Sequence, residues 1–231
     1  MPVSSFSFPA NDGADPARGA ERRRMVETQL IARDITDVRV LAAMTAVPRH
    51  EFVPVEMQAE AYGDNPLAIG HGQTISQPYI VALMLQLLSP PAGGTVLEIG
   101  TGCGYQAAVL GHLVGEVCSI EIVPELARRA EATLARLGAR NIEVRPGDGR
   151  CGWPERAPFA GIVVAAAARE VQPAWGEQLA LGGRLVVPLG GRGEQWLHVF
   201  TKEPDGLRDE TTIPVRFVPL TGGGARRAGE G

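Results

Sequence analysis

Lysine is nearly missing from this chain of 231 residues: Lys202 stands alone, and arginine makes up the other 21 of the 22 Lys and Arg positions. With so much Ala and Gly beside it, the skew reads as base-composition bias and not as a binding patch. A basic surplus is missing too. The formal net charge is −4, whereas proteins that coat nucleic acid carry excess positive charge, so no nucleic-acid partner is expected. Cysteine is scarce. Cys103, Cys118 and Cys151 are an odd number without a C-x-x-C pair, which fits neither a disulfide framework nor a zinc site and suits the reduced cytoplasm. No apolar run approaches the ~20 residues of a membrane span, and no apolar core follows a basic N-terminal flank, so no membrane partner is expected. His50, His71, His112 and His198 lack metal-ligand spacing, and S-x-x-K, G-x-S-x-G and H-E-x-x-H do not occur. The usual metal and nucleophile signatures are therefore absent, and no metal is expected.

What is present fits one domain, since the length allows a single substantial core and not two. Residues 1–19 and 222–231 lack any hydrophobic period and read as disordered tails, leaving residues 20–221 as the domain. From Ala20 the pattern is helical, and a second helix capped by Thr36 or Asp37 carries an apolar stripe through Val38, Leu41 and Met44. These two helices form an N-terminal cap. Strands follow before Gly100 and at 117–121, 142–145, 161–167 and 184–189, with helices between them, the last two at 124–137 and 173–181. Runs at 196–202 and 211–218, separated by Pro204-Asp205-Gly206, pair as a hairpin. The fold class is α/β: a doubly wound, mainly parallel, seven-stranded sheet of Rossmann-like type with a C-terminal antiparallel hairpin.

Ligands in such sheets bind at the carboxyl ends of the strands. Three loops fall there. Glu98-Ile99-Gly100-Thr101-Gly102-Cys103-Gly104 turns sharply from strand to helix, and glycines let a ligand lie against the backbone. A dinucleotide site wants G-x-G-x-x-G, but Tyr105 stands where the third glycine belongs, and the acidic Glu98 suits a cationic, phosphate-free ligand better than a pyrophosphate. Glu121 ends the next strand, where a carboxylate grips ribose hydroxyls in this fold. Asp148, beside Gly147, is placed either to bond an adenine amino group or to make an ordinary Asp-Gly turn. Cys103 reads as a small filler in its turn rather than a nucleophile.

The segment 61–79 is rich in Gly, Pro and Asn, too polar for a core and too long for a plain turn, and reads as a functional loop. Ser76 at its end precedes a helical run with Pro78 in the first turn. It reads as an N-cap, as a holder for an incoming carboxylate at the positive helix end, or as both.

Glu98-Ile99-Gly100-Thr101-Gly102 with the later Glu121 resembles motif I of the class I S-adenosylmethionine methyltransferases. A more specific likeness comes from Val47-Pro48-Arg49-His50-Glu51-Phe52-Val53-Pro54, Gly72-Gln73-Thr74-Ile75-Ser76-Gln77-Pro78-Tyr79, Gly147-Asp148-Gly149, Gly152-Trp153-Pro154 and Val218-Pro219-Leu220-Thr221. Together these resemble the protein-L-isoaspartate O-methyltransferase family over residues 22–221. The resemblance implies a repair enzyme, which is expected to be a cytoplasmic monomer. It would move the methyl of S-adenosylmethionine to the free α-carboxylate of L-isoaspartyl residues in damaged proteins, and the ester would return through a succinimide to aspartate. It further implies Ser76 as the catalytic residue, orienting the carboxylate. Ser76, Gln77 and Pro78 would contact substrate, and Ile75, Glu98, Gly100, Thr101, Gly102, Glu121, Gly147, Asp148 and Thr221 would hold the cofactor. Two positions depart from the family: Ala160 stands where Asp is common, and Cys103 where Ser is commoner. The alternatives are a same-fold methyltransferase with another substrate and a non-catalytic module binding S-adenosylmethionine.

Overall fold

Two periods in the sequence build two kinds of layer, and the computed structural model, which describes residues 16–191 and 193–222, shows how they stack. In chain order come helices α1 (Pro16–Met25) and α2 (Val38–Ala46), the hairpin β1 (Leu67–Gly70) and β2 (Gln73–Ile75), and helix α3 (Pro78–Leu88). Then follow β3 (Thr95–Ile99), α4 (Tyr105–Gly111), β4 (Glu116–Glu121), α5 (Pro124–Arg136), β5 (Ile142–Pro146), β6 (Phe159–Val164), α6 (Pro173–Gln178), β7 (Leu179–Gly190), β8 (Gln195–Glu203) and β9 (Gly206–Val215). The seven-stranded sheet runs β5-β4-β3-β6-β7-β8-β9. Strands β5 through β7 are mutually parallel, while β8 is antiparallel to both its neighbours. The order reverses at β3, so the crevice between β3 and β6 is the switch point of a doubly wound sheet.

Alternation along the central strands divides the core in two. Val96, Val117 and Val163 face one layer with α2, α3 and α4. Leu97, Ile99, Cys118, Ile120, Ile162 and Val164 face the other, with Trp153 and Trp175. The strands buried on both faces are the near-continuous apolar runs expected of a parallel sheet.

Several boundaries differ from expectation, each for a local reason. The first helix begins at Pro16, not Ala20, because proline suits a first helical turn and Arg18 pairs with Glu21 one turn on at 2.8 Å. It continues as a wider π-helical turn over Val26–Ile31. The expected tails at 1–15 and 223–231 lie outside the described residues. Helix α6 stops at Gln178, earlier than 181, since Leu179 is drawn into the sheet opposite Phe159. Strand β9 occupies Gly206–Val215 in place of 211–218, pairing from Glu203↔Gly206 directly beside the turn. The residues after it leave the sheet and form a strap instead: Ala167 donates to the Val218 carbonyl at 2.8 Å, and Leu220 donates to the Ala167 carbonyl at 2.7 Å. The 61–79 loop contains a tight hairpin, whose two turn residues His71 and Gly72 both take positive φ, 54° and 68°.

Candidate active site

The turn after β3 is held open by backbone geometry. Gly100 donates to the Ile120 carbonyl at 2.8 Å, which ties the turn to the end of β4. Gly100 and Gly102 take φ of +92° and +56°, values that penalise any side chain. Above them lies a cleft of about 550 Å³, lined by Gly100, Gly102, Glu121, Gly149, Ala165 and Thr221 among others. One Glu121 oxygen accepts from the Gly102 N–H at 2.8 Å and the other from the Val123 N–H at 2.9 Å. Its carboxylate is thereby fixed at the wall, with lone pairs left for hydroxyl donors.

Glu98 lies beneath this turn and not on the lining of the cleft. Strand alternation sends it to the α4 face, fully buried and in register with Ser119. The Ser119 hydroxyl donates to Glu98 at 2.5 Å and lies 2.5 Å from the Thr101 hydroxyl, so a polar ladder supports the glycine turn from below. Burial pushes the Glu98 carboxyl up to about 8, against the opposing pull of Ser119 and Gln106.

A second, smaller cavity of about 370 Å³ adjoins the cleft and shares Thr74, Ala165 and Val218 with it. Pro66, Ser76, Gln77, Ile80, Arg216 and Phe217 complete its walls. Ser76 does not cap α3. The cap position is Gln77, without a side-chain bond, and the carboxylate of Asp64 accepts from the Tyr79 N–H at 3.1 Å. Relieved of capping, the half-buried Ser76 hydroxyl makes no hydrogen bond among the described residues and faces the cavity at the positive end of an eleven-residue helix.

A family model for protein-L-isoaspartate(D-aspartate) O-methyltransferase matches residues 20–225. The chain belongs to this family. The protein-L-isoaspartate O-methyltransferase of Opitutus terrae is 55% identical over 213 residues, covering 92% of this chain and 91% of its own. A second relative of that name, from Anaeromyxobacter sp., is 57% identical over 206 residues, covering 88% and 84%. Among solved structures, a protein-L-isoaspartate O-methyltransferase superposes with a TM-score of 0.79 at 31% identity, covering 87% of this chain, which spans 66% of that one. A Plasmodium falciparum chain assigned to the same activity, solved with S-adenosyl-L-homocysteine, gives a TM-score of 0.75 at 25% identity, covering 87% and 98%.

Within this methyltransferase the residues singled out from sequence fall into three groups. Gly100, Gly102, Glu121 and Thr221 line the larger cleft, and Ser76 and Gln77 line the smaller cavity. Ile75, Glu98, Thr101 and Pro78 are buried behind those linings. Gly147 and Asp148 are not lining residues and stand in the chain just before the lining residue Gly149; Asp148 accepts from the Arg150 N–H at 3.1 Å, and Gly222 packs against its carboxylate. Sequence reasoning missed Gln73, Thr74, Ala165, Ala166 and the Val218–Leu220 part of the strap. It also missed Arg216. Gln73, Thr74 and Val218–Leu220 lie within quoted motifs but were given no role, whereas the positions of Ala165, Ala166 and Arg216 depend on pairings between distant segments, which carry no local signal. The departure at Ala160 lies at the far end of β6, against Gly94 and away from the cleft. Burial pushes the Cys103 thiol up to about 11, which removes thiolate character at neutral pH and fits the filler reading.

Proposed function

We propose that this isoaspartyl methyltransferase works by alignment, with Ser76 holding the substrate carboxylate and the larger cleft holding S-adenosylmethionine. The enzyme methylates L-isoaspartyl residues of damaged proteins. The observation that carries the residue assignment is the unengaged Ser76 hydroxyl in a cavity that shares three wall residues with the cleft.

The residues of the cleft suit the cofactor. Side-chain-free backbone at Gly100 and Gly102 admits a ligand closely, and Glu121 offers a fixed acceptor for ribose hydroxyls. Asp148, next in the chain to the lining residue Gly149, offers an acceptor for an adenine amino group, and Gly149 a lining without bulk. When bound, the cofactor supplies a methyl group activated by its positive sulfur.

No general base is required, because an α-carboxyl titrates near ~3.5 and is already ionised at neutral pH. Ser76 donates one hydrogen bond to a carboxylate oxygen and leaves the other oxygen to face the shared wall. The serine orients and does not attack: no histidine or other base accompanies it among the residues lining its cavity. Rate then comes from holding nucleophile and donor in one line at contact distance. The methyl ester closes to a succinimide, whose hydrolysis returns part of the residue to aspartate. We place the enzyme in the cytoplasm, a reading supported by three unbridged cysteines, and take it as a monomer; no helix among the described residues is long and apolar enough to cross a membrane.

Transfer of radiolabelled methyl to an L-isoaspartyl peptide and to its L-aspartyl twin tests the assignment. Labelling of the isoaspartyl peptide alone, strongly reduced by Ser76→Ala, is the expected result. Full labelling by the Ser76→Ala variant would remove the serine from its role.

A further inference from the structure

Arg216 lines the Ser76 cavity and also a much larger open groove, of about 1880 Å³, on the other side of the strap. Phe217 lines both as well, so the groove abuts the place where the isoaspartyl carboxylate sits, with Arg216 and Phe217 as a common wall. The groove is polar and one-sided in charge: Arg150, Arg169 and Arg216 line it against a single carboxylate, Glu170.

Arginines elsewhere on this acidic protein are mostly engaged. Arg128 pairs with Glu125, Arg145 with Glu155, Arg156 with Glu116 and Glu143, and Arg208 with Glu203 and Glu210. In the groove the pattern changes. Arg169 and Arg216 are exposed and make no ion pair or hydrogen bond among the described residues, and Arg150 reaches only the Leu220 carbonyl, at 3.4 Å. Unpaired guanidinium groups beside a substrate cavity are available for carboxylates, which they bind in a planar, two-point fashion.

We propose that this groove seats the polypeptide flanking the isoaspartyl residue and selects segments bearing Asp or Glu, with Arg216 as the specificity-determining residue nearest the reaction. The proposal rests on the Ser76 cavity being the isoaspartyl site. An extended chain advances ~3.3–3.6 Å per residue, so an acidic side chain within a few residues of the isoaspartyl group comes level with the groove. The wall that the groove shares with the isoaspartyl cavity makes the damaged protein itself the occupant.

The test uses the full chain with S-adenosyl-L-homocysteine and fluorescent isoaspartyl peptides that differ only in carrying Glu, Gln or Lys within three positions on either side. Binding is read by anisotropy for wild type, Arg216→Gln and Arg216→Glu. For wild type, the best-placed Glu peptide binds about fivefold more tightly than its Gln twin, the upper range for an exposed ion pair, and the ratio shrinks as salt rises. Arg216→Gln brings the ratio close to one, and Arg216→Glu turns the preference toward Lys. The readout is a ratio between peptides within each protein, which a general loss of folding or turnover does not move. An unchanged ratio in the variants, a wild-type preference for Lys, or displacement of the peptide by single-stranded RNA in an Arg216-dependent manner would overturn the proposal. Failure to methylate any isoaspartyl peptide would instead strike at the catalytic reading, while the binding ratio still decides the role of Arg216.

Discussion

Ser76 and Asp64 divide two tasks that one residue is expected to combine. Asp64 caps α3 from the preceding loop and also pairs with Arg33 at 3.0 Å, which leaves the Ser76 hydroxyl out of the cap. Ser76→Ala is therefore expected to cut kcat/KM by about 10- to 100-fold, the weight of one hydrogen bond to a charged group, with Tm essentially unchanged. Asp64→Ala should do the reverse in stability, lowering it by about 1 kcal/mol as a lost cap does; urea midpoints for both variants check the division. Glu98 sets a pH dependence of stability. In the unfolded chain this carboxyl loses its proton near 4.5, whereas in the fold it keeps it to about 8, so folding takes up a proton between those values. Stability from this group is highest at low pH and falls as pH rises through the window, by about 1.4 kcal/mol per unit. Glu98→Gln, measured by urea unfolding at pH 5 and pH 8, should flatten that fall; an identical slope in the variant would refute the assignment. Residues such as Glu121 and Ser76 were legible from sequence because their places follow from a local strand end and a local helix start. Glu98 was found by its motif, but its direction was not read, although period two along β3 holds the answer: one residue from Leu97, it must face the opposite layer.

At the scale of elements, the Gly149 side of the cleft is fixed by α6. The Trp175 indole N–H donates to the Gly149 carbonyl at 2.8 Å, and the Gln178 side chain accepts from the Trp153 N–H at 2.7 Å and donates to the Cys151 carbonyl at 2.9 Å. One short helix thus braces the whole turn after β5 by side chains alone. Trp175→Phe keeps most of the buried ring but removes one of two hydrogen bonds to the Gly149 carbonyl, which still accepts from the Gly152 N–H at 3.1 Å, at a cost of about 0.5–1.5 kcal/mol. The variant is expected to bind S-adenosyl-L-homocysteine more weakly, measured by calorimetry, because Gly149 lines the cleft. The helices and parallel strands were visible in the sequence through their periods, whereas the boundaries that moved are those set by partners. Leu179 joins a strand because Phe159 waits opposite, and 216–218 leave β9 because Ala167 binds the Val218 carbonyl. No window of neighbouring residues contains either fact.

At the scale of the molecule, the doubly wound sheet brings the glycine turn, Glu121 and Gly149 to one edge, and this convergence follows from strand order more than from any motif. Seven strands and the antiparallel end were readable from alternation and turn residues; which cavity shares a wall with which groove was not. A ligand that binds only the folded crevice must stabilise the whole domain. S-adenosyl-L-homocysteine at a hundredfold excess over its Kd is expected to raise unfolding free energy by about 2.7 kcal/mol, seen as a concentration-dependent Tm. The strap has a consequence for biosynthesis. Val215 completes the sheet, yet Val218, Pro219 and Leu220 supply walls to the cleft, and Val218 to the Ser76 cavity as well. A nascent chain emerging from the ribosome can therefore finish its core before it owns a working crevice. Repair of other proteins begins only once the enzyme's own translation has passed that last stretch.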